Sequence, residues 1–130
     1  MRDVKFRAWD NQSKKMIDWE KLKFDKDPGD NSICFYEKVD TVEWDGGADY
    51  EIMQCTGIKD KNGKEIFEGD ILGNEKLSTK WAVGFNRGAF VLTSKGVDMG
   101  VLHSCSIIDG QIVALKILGN IYENKDLLEG

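Results

Sequence analysis

The apolar runs of this chain are short, and frequent glycine turns close them. Trp81, Val83 and Phe85 alternate with Lys80, Ala82 and Gly84, Asn86-Arg87-Gly88 turns the chain, and Ala89 to Thr93 returns. Such a period of two gives a strand one apolar face, because successive side chains point to opposite sides of a sheet. Asn62-Gly63 and Asp109-Gly110 are hairpin signals of the same kind. A parallel sheet needs long crossover helices, and no stretch has the apolar period to supply them. Fourteen glycines against one proline in 130 residues fit this texture.

The expected fold is therefore mainly β. Val4 to Trp9 and Lys15 to Trp19 form an N-terminal hairpin across Asp10-Asn11-Gln12-Ser13. Val4, Phe6 and Ala8 share one face, and Lys5, Arg7 and Trp9 the other. Lys38 to Trp44 and Tyr50 to Thr56 read as further strands, which makes residues 1–56 an N-terminal β region. Residues 57–130 carry about five short strands with tight turns, the pattern of an SH3-like small barrel. A further strand is expected within Val101 to Ile108, and a short C-terminal helix over Lys125 to Glu129, capped by Asn124. Gly63 is expected at positive φ in a type I′ turn, and Trp81, Val83 and Phe85 are expected to face one core.

Composition bounds the class. Hydrophobic residues are 41% and charged residues 32%, a globular balance. A chain of this size buries about two-thirds of its unfolded surface, enough core without disulfides or metals. No stretch approaches the roughly 18 apolar residues of a membrane span. Met1 to Asp10 lacks the apolar core of a signal peptide. Cys34, Cys55 and Cys105 are odd in number and widely spaced, and read as reduced thiols of a cytoplasmic protein.

The net charge of −5 is uneven: residues 1–26 carry +3, residues 27–56 carry −7, residues 57–95 carry +2 and residues 96–130 carry −3. Nonspecific duplex binding needs a basic footprint, and these basic excesses are small and mixed with acids. Arg2, Lys5, Arg7, Lys14 and Lys15 nevertheless lie close in sequence and leave a nucleic-acid-binding module as the alternative reading. Trp9, Trp19, Trp44 and Trp81 offer either core packing or a stacking platform for single strands.

The sequence nominates no catalytic, cofactor-binding or metal-binding residues. His103 is the one histidine. On a strand it would share a side with Cys105 and not with Ser104, and no elbow motif or orienting third group surrounds it. Cys34, Cys55, His103 and Cys105 have no zinc-ligand spacing. Asp60-Lys61-Asn62-Gly63 lacks the glycine position and closing Glu of a calcium loop, and a hairpin explains it. Asp40, Glu43, Asp45, Asp49 and Glu51 read as a solvated acidic edge. In Glu68-Gly69-Asp70-Ile71-Leu72, glycine permits a left-handed backbone and Asp70 suits an Asx turn.

Three blocks carry a family resemblance. They are Lys5-Phe6-Arg7-Ala8-Trp9-Asp10 with Lys15-Met16, the stretch from Met53-Gln54-Cys55-Thr56-Gly57 through Asp60-Lys61-Asn62-Gly63 to Glu68-Gly69-Asp70-Ile71-Leu72, and Gly119-Asn120-Ile121-Tyr122-Glu123-Asn124 with Leu127-Leu128. In this order they resemble the YopX family of phage and prophage proteins. Cys55 stands where that family often has an aromatic, and Lys125 where it often has proline. The resemblance implies an SH3-like barrel in the C-terminal part, a phage or prophage origin, and no enzymatic activity. It supplies no functional residues to carry over. The expected function is a non-enzymatic accessory protein that acts by protein binding or self-association, without cofactor or membrane partner, inside a bacterial host.

Overall fold

A computed structural model describes residues 5–26, 29, 33–37, 50–76, 79–86, 88–94, 97–102, 107–108 and 110–128. The chain divides into two units, Lys5–Gln54 and Cys55–Gly130, with Met1–Val4 assigned to the second. Both are built from strands.

In the unit Lys5–Gln54, β1 (Phe6–Asp10) lies between β2 (Lys15–Ile17) and the first half of β5 (Tyr50–Lys59). Both pairings are antiparallel, with Ala8 opposite Ile17 on one side and Ile52 on the other. The separate hairpin of β3 (Leu22–Lys26) and β4 (Ile33–Glu37) runs in register from Leu22↔Glu37 to Lys26↔Ile33. The expected turn chemistry at Asp10 is present. Asp10 Oδ1 accepts the N–H of Gln12 at 2.9 Å and of Ser13 at 3.3 Å. Lys14 takes φ 58° and donates its N–H to the Asp10 carbonyl at 2.9 Å. Ala8, Ile17 and Leu22 form a small core against which Phe6, Trp19, Tyr50 and Ile52 pack. Trp9 is buried as well as Ala8, so both faces of β1 are covered at that point, not one. The returning strand stops at Ile17, and Trp19 opens a 3-10 turn over Trp19–Lys21.

In the unit Cys55–Gly130 the strands are the rest of β5, then β6 (Glu65–Phe67), β7 (Asp70–Gly73), β8 (Trp81–Asn86), β9 (Ala89–Ser94), β10 (Val97–Val101), β11 (Ile107–Ile108), β12 (Gln111–Ile112) and β13 (Lys116–Asn120). Five of them form an antiparallel sheet in the order β10-β9-β8-β7-β13. β6 and β12 pair with β5, β12 in parallel through Gln111↔Lys59, and β11 pairs with β12. One core joins them: Ile58, Ile66, Leu72, Val83, Phe90, Leu92, Leu102, Ile112 and Leu115, with Trp81, Ile107 and Ile117 against it.

The structure corrects several expectations here. Among the described residues no ladder joins β10 to β13, so the five-stranded sheet is not a closed barrel. The C-terminal segment is a 3-10 turn, Lys125–Leu128, and not an α-helix. Asn124 does not cap it through its side chain, because Asn124 Oδ1 accepts the N–H of Asn120 instead, at 3.1 Å. β5 continues past Gly57 to Lys59; Gly57 at φ 79° sits where the β5–β6 register shifts, and so marks a bulge within the strand. The turn at Asn62-Gly63 is not type I′, since Gly63 has φ 85° but Asn62 does not have positive φ. Gly63 N–H bonds the Asp60 carbonyl at 3.0 Å and Asp60 N–H bonds the Lys64 carbonyl at 2.8 Å, the pattern of a type I turn closed by a left-handed glycine. Trp81 and Val83 face the core as expected, but Phe85 is 51% exposed. The strand keeps its alternation and outruns the core beneath it. Of the strand expected within Val101 to Ile108, β10 reaches Val101 and β11 takes Ile107–Ile108, while residues 103–106 lie outside the described residues.

Candidate functional site

The residues of the second and third sequence blocks meet in the unit Cys55–Gly130, and their polar groups are buried. Thr56, at the bulge, donates its hydroxyl to the Ile66 carbonyl at 2.8 Å and accepts the Ile58 N–H at 3.1 Å. It thereby ties the irregular part of β5 to β6, where regular ladder bonds are interrupted.

Asp60 is 1% exposed, and both of its oxygens are occupied. Oδ1 accepts the N–H groups of Asn62 and Lys64, each at 2.9 Å, and Oδ2 accepts that of Ile117 at 2.9 Å. The hairpin is tied to the same stretch by Lys61 N–H to the Leu115 carbonyl at 2.9 Å and by Gln111 Nε2 to the Lys61 carbonyl at 2.8 Å. The Asp60 side chain and the Lys61 N–H thus join the β5–β6 hairpin to the start of β13, and the Gln111 side chain joins it to β12.

Asp70 closes the Glu68-Gly69 turn by accepting the Phe67 N–H at 2.8 Å, with Gly69 at φ 85°. Asp70 is also the ladder partner of Asn120. Gly69 donates to the Val83 carbonyl at 2.7 Å and accepts the Ile121 N–H at 2.8 Å. Asn120 Oδ1 accepts the N–H groups of Tyr122 and Glu123 at 3.0 and 2.9 Å. Gly119 is required there, because a Cβ would overlap the Asn124 side chain. Burying these polar groups is tolerable because each is hydrogen-bonded.

The other sequence candidates do not assemble with them. Among the described residues no group of three or more His, Cys, Asp or Glu could hold a metal ion. Cys55 is buried and belongs to no disulfide. His103, Cys105, Trp44 and the acidic residues Asp40, Glu43, Asp45 and Asp49 lie outside the described residues, as does the side chain of Cys34. Trp9 is buried, while Trp19 and Trp81 pack against their own cores, so these three serve packing. The Phe6 and Trp19 rings stand 6.2 Å apart. Of the basic residues near the N-terminus, Lys5 and Arg7 are half-buried, Lys14 and Lys15 are exposed, and Arg2 lies outside the described residues.

The carboxyls of Asp10 and Glu75 are shifted. Burial raises the Asp10 pKa, but hydrogen bonds from Ser13 and from the Gln12 and Ser13 backbone, with the charge of Lys15, outweigh it and hold Asp10 below its ordinary value. Glu75 is lowered by its hydrogen bond to Lys116 at 2.8 Å, by the charge of Lys116, and by that of Lys61. The sequence reading found Asp10 and Asp70 by their turn context and missed Asp60 as the link to Ile117. An Asp two residues before Asn and four before Lys, at the mouth of a hairpin, signals the local bonds only.

The arrangement defines a class first: a two-unit β protein whose signature residues hold its own backbone. Residues 5–129 match the family described as YopX protein, and the chain belongs to that family. Among solved structures it is similar to protein EF1440 from Enterococcus faecalis, with a TM-score of 0.60 and 28% identity over 98% of this chain and 99% of that one. No curated protein matches the chain. No helix among the described residues is long and apolar enough to cross a membrane.

Proposed function

We propose that this protein is a non-enzymatic phage or prophage accessory protein that acts by binding another protein or by self-association. The observation that carries this reading is the use made of the signature residues. Thr56, Asp60, Asp70 and Asn120 are buried and bond to main-chain groups. They build a scaffold, and a scaffold of strands offers surfaces. The open strand order β10-β9-β8-β7-β13 around one core supports reading the second unit as an SH3-like barrel of the partly open kind. For self-association, the proposed interface includes residues from 1–56, whose basic and acidic stretches are complementary.

Affinity capture from prophage-induced cells, with the purified chain as bait, is expected to retain a defined protein partner or additional copies of the chain. Light scattering near the chain mass of 14.7 kDa at high micromolar protein would remove the self-association form of the proposal. Salt-sensitive gel shifts with DNA or RNA, and no protein partner, would favour a nucleic-acid module instead.

A further inference from the structure

The hydrogen-bonded register places an exposed row across β11, β12 and β5. Ile108 is opposite Gln111, and Gln111 is the partner of Lys59. Directly paired residues project on the same side of a sheet. The neighbouring positions project the other way: Ile58 and Ile112 are buried in the core and Ile107 packs against it. The row Ile108–Gln111–Lys59 therefore faces outward. Ile108 is 65% exposed and Val113, two residues beyond Gln111, is 51% exposed. Lys59, Lys61 and Lys64 are exposed along the same hairpin, against one exposed acid there, Glu65. The other hairpin carboxylate, Asp60, is turned inward onto three backbone N–H groups.

The backbone under this face is held at several points. Lys59 N–H bonds the Gly110 carbonyl at 2.8 Å, Gln111 Nε2 bonds the Lys61 carbonyl at 2.8 Å, and Lys61 N–H bonds the Leu115 carbonyl at 2.9 Å. Two large apolar side chains are thus displayed beside lysines on a braced support. Covering these side chains gives a partner apolar area to remove from water. The three lysines outnumber the exposed Glu65 on this hairpin, and a surplus of positive charge favours a partner of the opposite sign.

We infer that the outer face of β11, β12 and the β5–β6 hairpin is a docking surface for an acidic protein segment that carries apolar side chains. Ile108 and Val113 take the apolar groups, and Lys59 and Lys61 face the carboxylates. The inference deepens the protein-binding reading above and rests on it. Nucleic acid satisfies the lysines but leaves the two aliphatic side chains without an apolar counterpart.

The test uses the full chain, isotope-labelled, titrated with a synthetic 12-residue peptide that alternates Glu with Leu. The expected result is amide shift changes at Lys59, Lys61, Ile108, Gln111 and Val113. At least tenfold weaker binding is expected for the peptide with Ser in place of Leu, and for the variants K59E/K61E and I108S/V113S. The parent amide spectrum elsewhere in each variant shows that it is folded. An absence of shifts at millimolar peptide overturns the inference. So does equal binding of the Ser peptide, or of a 20-nucleotide DNA strand, at the same residues. A protein partner captured equally by the parent and by I108S/V113S overturns this face while the binding reading stands. Failure to capture any partner, with the peptide shifts present, counts against the binding reading and leaves the face.

Discussion

Asp10 and Asp60 occupy similar turns and differ in reach. Each accepts backbone N–H groups just downstream, Gln12 and Ser13 for one, Asn62 and Lys64 for the other. Among the described residues the Asp10 carboxylate bonds only within its own hairpin, whereas Asp60 gives its second oxygen to Ile117, 57 residues away. The units differ in the same sense. Among the described residues, the core of Lys5–Gln54 is built on Ala8, Ile17 and Leu22, while nine buried side chains form that of Cys55–Gly130. A turn pinned only locally fixes a hairpin. A turn that also reaches a distant strand fixes the packing of a whole unit.

The largest effect is expected from the larger core. Leu72 is fully buried, and Leu72→Ala should cost roughly 2–5 kcal/mol, the transfer term plus a cavity. Urea unfolding curves measure it. A cost under about 1 kcal/mol would mean that this core is less tightly organised than its burial implies.

Asp60→Ala leaves three N–H groups without their acceptor and should cost on the order of 3 kcal/mol. Asp10→Ala should cost less, because its turn is nearer to solvent and shorter in reach. Equal losses for the two, in the same denaturation assay, would break the comparison between local and long-range pinning.

Gly63→Val should destabilise by about 1–2 kcal/mol through left-handed strain. Nothing lies within 4 Å of the added Cβ, so the loss reports the φ of 85° and not a clash. A melting temperature equal to the parent's would mean that the turn re-forms with another geometry.

Phe85→Ala should cost only about 0.5–1.5 kcal/mol. Its ring is half-exposed and makes one edge-on contact with Phe90, centroids 5.1 Å apart. A loss as large as that of Leu72→Ala would restore Phe85 to the core.

The smallest effect concerns pH. The folded Asp10 carboxyl titrates below its ordinary value of 3.8. Its contribution is therefore complete above that value and is lost as pH falls through the lower folded one. Asp10→Asn should reduce the acid dependence of stability in that window and leave the dependence above pH 6 unchanged. Unaltered acid unfolding would show that Asp10 is not held as described.

These contrasts also show which features were legible in the sequence. The β1–β2 and β8–β9 hairpins could be read directly, because alternation and turn residues are local signals. The placement of Phe85 could not, since alternation reports which side a residue faces and not where the core ends. Gly57 looked like a strand end, although a bulge uses the same left-handed glycine in mid-strand. The turn at Asn62-Gly63 was misread because Asp60 accepts two N–H groups of the loop and favours the longer turn. The Asp60–Ile117 bond depends on tertiary closure, which no local pattern reports. The exposed row through Ile108, Gln111 and Lys59 was hidden for the same reason, being made by pairing between distant strands.

The bond from Asp60 to Ile117 also sets a timetable for a chain made from its N-terminus. The donor is synthesised 57 residues after the acceptor. At about 5–20 residues per second that gap lasts roughly 3–11 s. Once Leu72 has been made and until Ile112 follows, Ile58, Ile66 and Leu72 exist on the nascent chain while Ile112 and Leu115 do not. The nascent unit therefore passes through a period in which its hairpin has been made and its closing strand has not. That interval is when a chaperone would find apolar surface to hold.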